Sequence, residues 1–75
     1  MRNKPMRRYL IIIENAGKNW SAYCPDLPGC VASGDTPEET EANMYRAIEM
    51  HVAGMKEDKL PVPKGRTIGE YVLLP

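Results

Sequence analysis

The hydrophobic pattern begins at Tyr9, where the run YLIIIE to Glu14 is followed by the turn-prone cluster Asn15, Ala16, Gly17, Lys18 and Asn19. Dense β-branched and aromatic residues before a Gly-containing cluster predict a strand and a turn. From Trp20 to Cys24 the pattern alternates, with Trp20, Ala22 and Cys24 on one face and Ser21 and Tyr23 on the other, which predicts a second strand. Pro25, Asp26, Leu27, Pro28 and Gly29 interrupt it. Two prolines fix φ and remove backbone donors, and the glycine permits a left-handed turn, so this segment reads as a rigid loop. Cys30 to Gly34 then reads as a third short strand.

Past Gly34 the period changes. Thr36 stands as an N-cap, Pro37 at the first helical position and Glu39 three residues after the cap, the pattern of a capping box. At 100° per residue, His51, Met44, Met55, Ile48, Val52 and Tyr45 fall in one arc, while Glu38, Glu49, Arg46, Glu39 and Asn43 fall opposite. One face packs on the sheet and the other meets solvent. The helix is predicted to end between Met55 and Lys59, because Pro61 and Pro63 follow closely. Pro61 to Gly65 reads as a linker, and a last strand is expected over Glu70 to Leu74. The resulting order, β-β-β-α-β, predicts a two-layer α+β sandwich with an antiparallel sheet and one helix, a single domain over residues 1–75.

The first strand is apolar on both faces, Tyr9, Ile11 and Ile13 against Leu10 and Ile12, yet one helix covers only one face. A homodimer or higher homo-oligomer, or a bound partner, is expected to cover the other. With 75 residues the core is small, and 43% hydrophobic against 27% charged residues marks a globular chain. Neither an apolar run long enough for a membrane span nor a signal peptide is read from the sequence, and Cys24 and Cys30 are too few for a disulfide framework, so a cytoplasmic protein with reduced thiols is expected. Ten basic and ten acidic residues cancel. Their distribution is uneven: Arg2, Lys4, Arg7, Arg8 and Lys18 crowd the start, whereas Asp26, Asp35, Glu38, Glu39, Glu41 and Glu49 make the middle acidic.

Candidate chemistry is sparse. The single histidine, His51, lies at the edge of the helical arc, and Ser21 and Ser33 are in no nucleophile context, so no catalytic residue is assigned and no enzyme is expected. Cys24, Cys30 and His51 lack the short spacing of a zinc site, and the six glycines form no phosphate cradle, so neither a metal nor a cofactor is expected. If both cysteines face the helix they are small core residues. Arg2 to Tyr9 is the best candidate RNA-binding segment, with Tyr9, Trp20 and Tyr23 as possible stacking groups. The loop Asp26 to Gly29, expected beside the helix start at Asp35 and Thr36, suits either recognition or a simple strand crossover.

The stretch from Trp20 to Glu39, with PDLPGC at Pro25 to Cys30 and GDT at Gly34 to Thr36, resembles the HicB antitoxin family. Asn43, Ala47, Ile48 and the Pro61-Val62-Pro63 segment continue the resemblance, which covers roughly residues 9 to 63. It implies a partial RNase H-like fold without catalytic carboxylates, and a role as inhibitor of HicA, a small ribonuclease toxin whose active site is masked by binding. Many members of the family carry a C-terminal DNA-binding segment. With little sequence after the Pro61 to Pro63 linker, no such segment is expected here, and operator binding is not expected either.

A toxin that grips RNA phosphates must be basic, which makes an acidic inhibitor surface useful. Asp35, Glu38, Glu39 and Glu49 are therefore expected partner contacts, alongside Asp26, Leu27 and Pro28 of the rigid loop. The alternative is a stand-alone oligomeric RNA-binding protein without a toxin. A residual nuclease would have only Glu14, Asp26 and Asp35 as strand-associated acids to hold its metals.

Overall fold

A computed structural model describes residues 6–75. It contains β1 (Ile12–Asn15), β2 (Trp20–Tyr23), β3 (Val31–Gly34) and α1 (Pro37–Glu57), in that order. The strands form one antiparallel sheet of order β1-β2-β3, and α1 lies across one of its faces. The fold is α+β, as the pattern predicts.

β1 and β2 are joined by a turn in which Ala16 N donates to Asn19 O at 2.8 Å and Gly17 N to Asn15 Oδ1 at 2.8 Å. Gly17 takes φ +98°, open to glycine at little cost. The β1 ladder begins at Ile12, three residues later than expected, because its partner β2 ends at Tyr23. Continued by the same register, Leu10 would face Pro25, which has no N–H to offer.

The ladders place Ile13, Ala22 and Ala32 in one cross-strand row and Ile12, Tyr23 and Val31 in the next. Side chains alternate, so the first row faces α1 and the second faces away. The core on the helix side consists of Ala22, Cys24, Leu27, Cys30 and Met44, with Tyr9, Ile11, Ile13, Ala32, Ala47, Ile48 and Val52 packed around it. Ile12 is half-buried, Tyr23 is 44% exposed and Val31 64% exposed, so this row is an apolar strip, uncovered among the described residues, on an outer face whose other row, Glu14, Ser21 and Ser33, is polar.

The helix start matches the sequence reading in detail. Glu39 N donates to Thr36 Oγ1 at 3.0 Å, and the Glu39 side chain reaches back to accept from Asp35 N at 3.4 Å. Thr40 is fully buried, and its hydroxyl donates to Thr36 O at 2.7 Å. Here the helix comes closest to the sheet: a Cβ on Gly34 would lie 2.8 Å from Thr40 Oγ1 and 2.9 Å from Thr40 N. Farther along, Asn43 Nδ2 donates to Ser33 O at 2.8 Å, tying α1 to β3.

At its other end α1 closes with paired reverse bonds, Lys59 N to Lys56 O at 3.1 Å and Leu60 N to Met55 O at 2.8 Å. This is the Schellman arrangement, in which the residue after the cap is left-handed. Lys59 fills that position at φ +59°, where glycine is the usual occupant.

The expected closing strand at Glu70 to Leu74 is absent among the described residues. Tyr71 is 100% exposed, Leu73 94% and Leu74 84%, and residues 58–75 contain no strand. Residues 65–69 lie against Arg8 to Leu10, just before β1, but no strand pairing forms there, and residues 70–74 are exposed.

Two substitutions test the helix ends. Gly34→Ala forces apart the tightest helix–sheet contact and is expected to destabilise by about 1–3 kcal/mol, read from urea unfolding. Lys59→Gly relieves the left-handed lysine and is expected to stabilise by about 1 kcal/mol in the same assay.

Candidate functional site

The loop from Pro25 to Gly29 is built by successive turns. Leu27 N donates to Cys24 O at 3.1 Å, Cys30 N to Leu27 O at 3.1 Å and Cys24 N to Cys30 O at 3.3 Å, while Gly29 takes φ +84°. The arrangement aims Leu27 inward. Leu27 is fully buried, so the expectation that it contacts a partner is corrected: its side chain is part of the core. Pro28 is exposed.

Asp26 is also engaged within the chain. Its Oδ2 accepts from Arg66 N at 3.0 Å and Thr67 N at 3.1 Å, and its Oδ1 accepts from the Thr67 hydroxyl at 3.0 Å. These bonds, the Thr67 amide foremost, favour the carboxylate and hold its pKa below the ordinary 3.8 despite some opposing desolvation. Two further contacts fix the same segment: the Tyr9 hydroxyl donates to Pro63 O at 2.6 Å, and Gly65 lies so close to the Arg8 carbonyl that no Cβ fits.

Asp35, Glu38 and Glu39 are exposed together at the start of α1. The proline loop is not beside them, as the sequence reading expected. β3 lies between the loop and the helix start, so the two are at opposite ends of the sheet, separated by about 10 Å of strand. Glu49 is exposed on the same side of α1 as Glu38 but about 16 Å along the axis. It borders a groove with Arg7, Tyr9, Ile48, Val52, Ala53 and Lys56. The expected contacts thus form an acidic helix start, a separate loop and an isolated Glu49.

The other chemical candidates are structural. Cys24 and Cys30 are free and buried, and burial, followed by the neighbouring Cys24, pushes the Cys30 thiol above its ordinary 9.0. It is protonated at neutral pH and a poor nucleophile. Among the described residues no cluster of three or more His, Cys, Asp or Glu is placed to hold a metal ion. Tyr9 packs against the core, Trp20 is half-buried on the Ala22 side and Tyr23 points to the outer face, so these aromatics share no stacking platform. Arg2 and Lys4 of the basic segment lie outside the described residues, while Arg7 and Arg8 are exposed.

A protein-family model, described as the HicB_like antitoxin of bacterial toxin-antitoxin systems, matches residues 9–75. The chain belongs to the HicB-like antitoxins. This HicB-like domain is 39% identical over 67 residues to a 14.9 kDa protein from the rep-hol intergenic region of Haemophilus phage HP1, covering 89% of this chain and 50% of the phage protein. It thus spans about half the length of that relative. Two UPF0150 proteins of Synechocystis are 36% and 38% identical, over 81% and 85% of this chain and 78% and 90% of their own lengths. No solved structure matches the chain, so the partial RNase H-like description rests on the family resemblance alone. Among the described residues no helix is long and apolar enough to cross a membrane.

Two signals could have revealed the clamp on residues 66–67: an acid in a rigid loop, and a Thr-containing segment after the Pro61 to Pro63 linker. Nothing in their spacing, 41 residues for Asp26 and Thr67, connects them before the chain folds.

Because the folded pKa of Asp26 is depressed, its stabilising contribution is present above the unfolded value near 3.8 and is lost as pH falls through the folded value. The Arg66 and Thr67 amides are expected to be protected from hydrogen exchange at pH 6 and to approach unstructured-chain behaviour in strong acid. Asp26→Ala is expected to abolish their protection at pH 6 as well.

Proposed function

We propose that this chain is the inhibitory partner of a small HicA-type ribonuclease toxin and neutralises it by covering its active site. The carrying observation is the family match across residues 9–75. Exposed Asp35, Glu38 and Glu39 at one end of α1, with Glu49 farther along it, support a complementary interaction with a basic RNA-binding surface. Pro28 is a further candidate contact; Asp26 would act through the segment it holds. The chain is a binding protein with no catalytic step of its own, and it meets an RNA-cleaving toxin in the cytoplasm, where the RNA is. The uncovered row Ile12, Tyr23 and Val31 favours self-association of the free antitoxin.

The direct experiment expresses the cognate toxin with and without this chain. Growth arrest by the toxin alone, rescue on co-expression and co-purification of the two proteins are expected; a toxin that neither binds nor is silenced would sink the reading. Glu38→Lys is the cleaner electrostatic probe, since Glu39 also serves the helix cap. Glu38→Lys together with Glu49→Lys is expected to slow toxin association by about tenfold at low salt, with the difference shrinking at high salt.

A further inference from the structure

β1 is an edge strand, so among the described residues one side of its backbone has no strand beside it. Next to it, between the strand and α1, lies a groove of about 420 Å³ lined by Tyr9, Ile11, Glu41, Ala42, Tyr45 and Ile48. Tyr45 belongs to the apolar arc of the helix yet is 66% exposed, at the wall of this open groove. The same chain carries a segment with the matching pattern and no covering. Ile68 is 81% exposed, Tyr71 100%, Val72 81%, Leu73 94% and Leu74 84%.

In an extended segment Ile68, Val72 and Leu74 fall on one side and Tyr71 and Leu73 on the other. A strand apolar on both sides suits a position with a helix groove on one face and the side chains of Leu10 and Ile12 on the other. Asp26, Tyr9 and the Gly65–Arg8 contact pin the base of this arm, and the residues beyond Gly69 leave their own groove empty. Extended, residues 68–74 reach about 20 Å, the same run as residues 9–15 of the edge they would pair with.

We propose that two copies of this chain exchange these arms, each laying residues 68–74 along the β1 edge and into the Tyr45 groove of the other. One arm and one groove per chain satisfy each other fully in a closed two-fold pair, with no unpaired edge left at β1. The proposal rests on the self-association set out above and adds to the Ile12, Tyr23 and Val31 row a second contact, the arm at the β1 edge. It is independent of which toxin the antitoxin binds.

The test uses the full chain, measured by light scattering after size exclusion at micromolar concentration. The arm variant is Val72→Asp with Leu74→Asp, and the groove variant is Ala42→Lys with Tyr45→Lys. All four positions are exposed, so circular dichroism is expected to show the helix retained in both. A milder arm pair, Tyr71→Ser with Leu73→Ser, is expected to behave as the first. The wild type is expected at twice its 8.4 kDa chain mass, and each variant alone at the chain mass. An equimolar mixture of the arm and groove variants is expected to regain a two-chain species, because an intact arm from one meets an intact groove on the other. A wild-type monomer overturns both self-association and the exchange. A dimer that persists in the arm variants, a mixture that stays monomeric or a wild type larger than two chains overturns the exchange and leaves self-association standing.

Discussion

Helix and sheet can meet closely here because the side chains nearest the helix start are small. Ala22, Cys24, Cys30 and Ala32 leave a shallow surface, and Gly34 removes the last obstruction where β3 runs into the helix start. Leu27 and Met44, both fully buried, fill the space that remains. Each contributes about 1.5–3 kcal/mol by leaving water, a large share where the buried apolar core among the described residues is Ala22, Cys24, Leu27, Cys30 and Met44. The cap at Thr36, the buried Thr40 and the Asn43 bond to Ser33 all keep α1 in the register that places Met44 over Leu27.

The PDLPGC segment is the strongest family signal in the chain, and nearly every residue in it serves the fold. Pro25 follows the end of β2, Asp26 grips the backbone at Arg66 and Thr67, Leu27 and Cys30 enter the core, and Gly29 takes a left-handed turn. Pro28 alone is exposed without an intrachain task of this kind. The motif therefore identifies how the domain closes more directly than what it binds. Acidic residues project into solvent along α1, away from this motif.

Local physics made most of the fold legible. Alternation identified β2, the turn residues separated the strands, and Thr36, Pro37 and Glu39 marked the helix start to the residue. The pattern from Tyr9 does not show where β1 begins, because a strand's length depends on its partner, and the partner ends at Tyr23. Residues 70–74 have strand-forming composition, but composition cannot supply a neighbouring backbone. The candidate site was less legible for the same reason. Leu27 looks like a loop side chain available to a partner until the turns around it show it aimed inward, and the separation of the loop from Asp35 follows from strand direction, which individual residues do not announce.

The Asp26 carboxylate gives the domain a mechanical connection between its C-terminal segment and its interior. A pull on the chain beyond Gly69 is borne first by the bonds at Arg66 and Thr67, and through them by the short loop whose next residue is Leu27. Tension applied there does not simply peel away a loose end. It draws on the residue that plugs the core, so an unfolding machine that takes hold of this end would begin its work at the centre of the domain.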